Sequence, residues 1–75
     1  MHIAILEDDP DQQAALTLWL GAAGHTSVAW ASVASFREGM AQAHFDAVLL
    51  DWMLPDGTGL DALLWLRQTL GWKLA

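Results

Sequence analysis

The chain has 75 residues, of which 55% are hydrophobic and five are Trp, and it contains no Cys. A chain this short buries only about 60% of its unfolded surface, so it makes at most one domain, with no disulfide or thiolate metal site to staple it. Nine Asp or Glu against three Lys or Arg give a net charge of −6, which excludes the clustered basic surface that nucleic acid requires.

No apolar run approaches the roughly 20 residues of a membrane span. The start, "MHIAILEDD", lacks the cationic opening and small-residue cleavage site of a signal peptide. A cytoplasmic protein without membrane contact is therefore expected. The apolar load would suit a larger core, so some of this surface is expected to meet another chain.

In chain order, "HIAIL" (2–6) is a short β-type run that breaks into "EDDPDQ". Asp9, Pro10 and Gln12 read as an N-cap, a proline at N1 and a capping-box partner at N3. They predict a helix from Pro10 to Ala23, with Leu16, Trp19, Leu20 and Ala23 at helical spacing and Gly24 as its C-cap. "TSVAW" (26–30) is a second strand, and a second helix follows from Ser32 to Ala43 with Phe36 and Met40 at i, i+4. Ser35 and Glu38 form another capping-box pattern, so this helix starts at Ser32 or one turn later.

"FDAVLL" (45–50) is the clearest strand, nearly all apolar as for a strand covered on both faces. "DWMLPDGTG" reads as a loop with Thr58 available as a cap. A third helix runs from Gly59 to Leu70 and carries Leu60, Leu63, Leu64 and Arg67, while Trp65 falls away from that side as an exposed or interfacial anchor. "GWKLA" reads as the opening of a further strand. The βαβαβα alternation implies an α/β fold with a parallel sheet and right-handed crossovers.

Ligands of such sheets collect at the C-terminal strand ends. Glu7 and Asp8 follow the first strand there, and Asp51 follows the third. If those strands are neighbours, three carboxylates converge and need a cation to offset their repulsion. A hard divalent ion such as Mg²⁺ accepts oxygen ligands of this kind, and a carboxylate beside it can take up a phosphoryl group. The competing reading is that acidic residues before a helix are caps and macrodipole partners. It is favoured for Asp9 and Asp11, and by spacing alone it stands level with the site reading for Glu7, Asp8 and Asp51.

"ILEDDP" followed by "FDAVLLDWMLPDGTGLDALLWLR" resembles the receiver domain of two-component response regulators. The hydrophobic strand, acceptor Asp, Met-Leu-Pro, Asp-Gly and following helix match in order. The resemblance implies the flavodoxin-like receiver fold, with residues 1–75 as its first three β–α units and the last two absent. It also implies a sensor histidine kinase as phosphodonor, Asp51 as phosphoacceptor, and Mg²⁺ held by Glu7, Asp8, Asp51 and the Met53 backbone carbonyl. Trp52 backbone would help hold the phosphoryl group, and Pro55 and Gly57 would shape the loop beyond it.

A full receiver adds a Ser or Thr on its fourth strand and a Lys on its fifth, roles that Thr69 and Lys73 come too early to fill. The resemblance thus implies a phosphoacceptor of a response regulator rather than an enzyme. It also implies impaired switching in this fragment and an output domain, commonly DNA-binding, in the parent protein. The third strand would be left as a hydrophobic edge, which predicts a homodimer or higher self-association through it. The alternative is a self-associating interaction module with an idle Asp51. A phosphatase of the haloacid-dehalogenase pattern is disfavoured, because Met53 stands where its second Asp is needed.

His2, His25 and His44 have no helical spacing or shared strand end and are not expected to form a metal set. The five Trp are expected in the core or an interface, since stacking platforms for bases pair with basic grooves.

Overall fold

The computed structural model describes residues 1–69 and 71. The end of the third helix at Leu70, the strand expected in "GWKLA", Trp72 and Lys73 lie outside the described residues. The elements are β1 (His2–Leu6), α1 (Pro10–Ala22), β2 (Thr26–Trp30), α2 (Val33–Gln42), β3 (Ala47–Leu50), β4 (Met53–Leu54), β5 (Gly57–Thr58) and α3 (Gly59–Thr69). The first three strands form a parallel sheet in the order β2-β1-β3. Within the stretch expected to be loop, β4 and β5 pair antiparallel as a small hairpin closed by Pro55 and Asp56.

Local chemistry accounts for the helix ends. The Asp9 side chain caps α1 by accepting the Asp11 N–H at 2.9 Å. Gln12 does not complete the expected capping box. Instead Gln13, one residue on and half-buried, donates its side-chain amide to the Glu7 carbonyl. Gly24, at φ 87°, closes the far end in the left-handed conformation that glycine adopts without strain. There Gly24 N–H donates to Gly21 O and His25 N–H to Leu20 O, the paired bonds of a Schellman motif. For α2, Ser32 rather than Ser35 is the cap. Thr58 caps α3: its hydroxyl accepts the Asp61 N–H while Asp61 accepts the Thr58 N–H.

The core lies between the sheet and the pair α2–α3. It is built from Ala4 and Leu6 of β1, Val33, Phe36 and Met40 of α2, Phe45, and Ala62 and Leu66 of α3. Trp30 meets Phe36 and Phe45 edge-on, at 5.9 and 5.6 Å between ring centroids. Its indole lies against Gly39, where any side chain would collide with the ring. The buried stripe of α3 is Gly59, Ala62 and Leu66, with Leu63 half-buried. The expected Leu60 and Leu64 are 44% and 43% exposed. Ala62 and Leu66, both fully buried, are the residues that α3 turns to the core instead. Trp65 is also not the outward anchor expected: it is half-buried, packs edge-on against Phe36 and has the Arg37 guanidinium 5.8 Å from its ring.

On the opposite face Ile3 and Ile5 are buried, but no residue of α1 is. Among the described residues a single helix, α1, covers this side. Leu16 and Leu20 are therefore half-buried, whereas Trp19 is 67% exposed and Ala23 also faces solvent, so the four residues at helical spacing do not form one buried stripe.

Candidate functional site

Strand register builds the site. Leu6 pairs with Leu50, and the ladder continues one step past the strands: Asp51 N–H donates to Leu6 O at 2.8 Å and Glu7 N–H to Trp30 O at 3.0 Å. Glu7 and Asp51 are thereby pinned at the same sheet edge, with Asp8 next to them. One carboxylate oxygen from each of Glu7, Asp8 and Asp51 lies within 4.8 Å of the others. Among the described residues this is the group of acidic or histidine side chains that could hold a metal ion.

The three carboxylates differ in setting. Glu7 is buried, at 7% exposure, whereas Asp51 is half-buried and Asp8 faces solvent. Burial pushes the Glu7 carboxyl above the ordinary glutamate value; the bond from the Asp9 N–H opposes this, and the negative charges of Asp51 and Asp8 add to it. Asp51 is oriented locally, one oxygen accepting the N–H of its neighbour Trp52 at 2.8 Å. Three hard oxygen donors with unrelieved mutual repulsion suit a divalent cation such as Mg²⁺. Beside them an open cleft of about 260 Å³ is walled by Ile5, Leu16 and Leu49.

The remaining residues singled out in the sequence are spread along the hairpin. Met53 opens β4 with an exposed side chain, Pro55 is in the turn, and Gly57 pairs with Leu54 in β5. Two residues that matter to the loop escaped the sequence reading. Gly59 donates its N–H to Trp52 O at 3.0 Å, and its α-carbon sits so close to the Asp51 carbonyl that a β-carbon would collide with that oxygen. The second glycine of "DGTG" was its one visible signal. Asp56 bonds to the start of α2, at Val33 and Ala34, a long-range contact with no sequence signal.

The three histidines do share a strand end, contrary to expectation. His2 opens β1, while His25 and His44 directly precede β2 and the Phe45–Asp46 step into β3. This is the edge opposite the carboxylates. His25 Nδ1 lies 2.7 Å from the Met1 amine, His2 Nδ1 lies 2.7 Å from Thr26 Oγ1, and His44 Nε2 is 3.9 Å from Asp46.

The profile of the response regulator receiver domain matches residues 3–72. The chain belongs to the response regulator receiver family. It is 42% identical over 67 residues to the TorCAD operon transcriptional regulatory protein TorR of Escherichia coli K12, a match covering 89% of this chain and 29% of TorR. Among solved receivers, the MaeR response regulator bound to beryllium trifluoride superposes with a TM-score of 0.86 at 35% identity, covering 93% of this chain and 59% of that one. The BeF₃-activated N-terminal receiver domain of Klebsiella pneumoniae RstA gives a TM-score of 0.88 at 30% identity, covering 97% and 61%. This receiver chain thus spans under a third of TorR and about three-fifths of those structures. It has the βαβαβα order and parallel sheet of the family. Among the described residues no helix is long and apolar enough to cross a membrane.

Proposed function

We propose that residues 1–75 form the first three β–α units of a receiver in which Asp51 accepts a phosphoryl group from a sensor histidine kinase. The observation that carries this reading is the meeting of Glu7, Asp8 and Asp51 oxygens within 4.8 Å at the sheet edge. Glu7, Asp8, Asp51 and the Met53 carbonyl are the proposed holders of Mg²⁺, with Asp8 the more direct ligand and Glu7 acting through water. When bound, the ion neutralises charge on the phosphoryl oxygens.

The chain's own groups do the rest. An oxygen of Asp51 attacks phosphorus, the P–N bond to the donor imidazole breaks, and its electron pair stays on that nitrogen; the product is an aspartyl phosphate. Trp52 N–H fixes one Asp51 oxygen and so orients the other. Pro55 and Gly57 shape the hairpin that follows. Beryllium trifluoride is a phosphoryl mimic, and its presence on MaeR and RstA supports this use of the fold. TorR is a transcriptional regulatory protein, which supports a signalling rather than an enzymatic role and a DNA-binding output in the parent protein.

Incubation with Mg²⁺ and acetyl phosphate, followed by intact-mass measurement, tests the proposal. A phosphate adduct that vanishes in Asp51→Asn supports it; no adduct on the wild-type chain sinks it. In that case the reading as a self-associating module with an idle Asp51 gains. Self-association is itself favoured by one observation: among the described residues β3 is an edge of the three-stranded sheet, and its Leu49 is 40% exposed. A clean monomer in size-exclusion chromatography with light scattering would rule it out.

A further inference from the structure

The loop that carries the proposed acceptor is held at both ends. At its base, Gly59 N–H donates to Trp52 O at 3.0 Å and the Gly59 α-carbon rests on the Asp51 carbonyl. Its stem is two residue pairs, Met53 with Thr58 and Leu54 with Gly57. A two-stranded hairpin is marginal by itself in water, and one of two pairs cannot fix its own orientation. The tip supplies what the stem lacks. Asp56 spans to α2, one carboxylate oxygen accepting Val33 N–H at 2.7 Å and the other Ala34 N–H at 3.0 Å. These two bonds hold the Asp56 carboxyl below the usual aspartate value. The helix end it grips is firmly seated, because Val33, Phe36 and Met40 are all buried in the core. Gly57 packs next to this junction, the site of a β-carbon there lying 3.2 Å from a Val33 methyl.

We propose that Asp56 is a positioning residue for the acceptor loop: by anchoring the hairpin tip to α2, it sets where the Trp52–Met53 backbone lies beside Asp51. This rests on the phosphoacceptor reading for its consequence but not for its geometry. The rival account is that Asp56 merely caps α2. The molecule contains its own control, since Ser32 caps the same helix by accepting Ser35 N–H at 3.2 Å, and its side-chain hydrogen bonds go to Ser35 rather than to the hairpin.

The test compares Asp56→Ala, Asp56→Asn and Ser32→Ala in the full chain, by amide NMR and by Mg²⁺ titration calorimetry. Asp56→Ala should shift the Trp52, Met53 and Gly59 amides and weaken Mg²⁺ binding about tenfold, the range for residues that orient metal ligands from behind. Asp56→Asn, which keeps an acceptor oxygen, should recover part of both. Ser32→Ala should lower the melting temperature but move neither. If the Asp56 variants and Ser32→Ala all lower stability alike and leave those amides in place, the proposal fails. Should Asp56→Ala not fold, Asp56→Asn against Ser32→Ala decides the matter by the same amides. A wild-type chain that takes up no Mg²⁺ defeats the phosphoacceptor reading, while the amide shifts still decide the positioning.

Discussion

Gly59 and Asp51 are in backbone contact: the α-carbon that opens α3 rests on the carbonyl of the proposed acceptor, with no room between them for a side chain. Backbone rather than a mobile side chain is the obstacle, so Gly59→Ala must displace either α3 or the Asp51–Trp52 peptide. The expected outcome is a folded but less stable chain with strongly reduced phosphorylation by acetyl phosphate, read by intact mass.

Gly21 is the opposite case. It lies inside α1, and a β-carbon there meets nothing within 4 Å. Gly21→Ala should stabilise the fold by about 0.5–1 kcal/mol, through the lower backbone entropy of alanine in the unfolded chain. Urea denaturation checks this, and a loss of stability would contradict the open surface seen around Gly21.

The raised Glu7 carboxyl has a signed consequence. A group whose folded value lies above its unfolded one contributes stability that is fully present below the ordinary value of 4.5, and loses it as pH rises through the raised value. Near neutral pH Glu7 therefore works against folding. Glu7→Gln should raise the melting temperature at pH 7, with the gain shrinking as pH drops through the raised value, and should weaken Mg²⁺ binding above that value, where Glu7 is ionised. Scanning calorimetry across pH, with and without Mg²⁺, measures both effects.

Asp46 behaves in the reverse sense. The His2 N–H, donated to it at 2.8 Å, is the largest cause of its lowered carboxyl, followed among the lowering influences by the charges of His44, the Met1 amine and His2. Its contribution is present above the ordinary value of 3.8 and is lost as pH falls through the lowered one. Asp46→Ala should accordingly lower the melting temperature at pH 7 and have little effect in strong acid.

Phe36 is fully buried at the centre of the core, touching Trp30 and Trp65. Phe36→Ala should cost about 3–5 kcal/mol. At roughly 0.05–0.15 kcal/mol per residue a chain of this length has little more to lose, so the variant should be largely unfolded by circular dichroism at 37 °C. Phe36→Leu, which keeps most of the volume, should remain folded.

Much of this was legible in the chain. The run "FDAVLL" ending on Asp51, the acidic pair after "HIAIL", and the caps Asp9 and Thr58 all act through neighbours a few residues away, and all were readable. The buried face of α3 was not. Leu60 and Leu64 offer as good a helical stripe as Ala62 and Leu66, and only the packing of α3 against the α2 and sheet residues of the core selects between them. The β4–β5 hairpin was hidden for a related reason: two residue pairs make too short a pattern to show alternation.

The sequence alone determined the order of the three main strands and three helices, and which carboxylates stand at strand ends, because periodicity, proline, glycine and capping side chains act within a turn or two of chain. Only the tertiary structure decided that Glu7, Asp8 and Asp51 meet, that the three histidines gather at the opposite edge, and that Asp56 reaches α2. Those outcomes depend on the strand order β2-β1-β3 and the register of Leu6 with Leu50. Strand order and register arise when the sheet closes around a shared core, and no local stretch of the chain encodes them by itself.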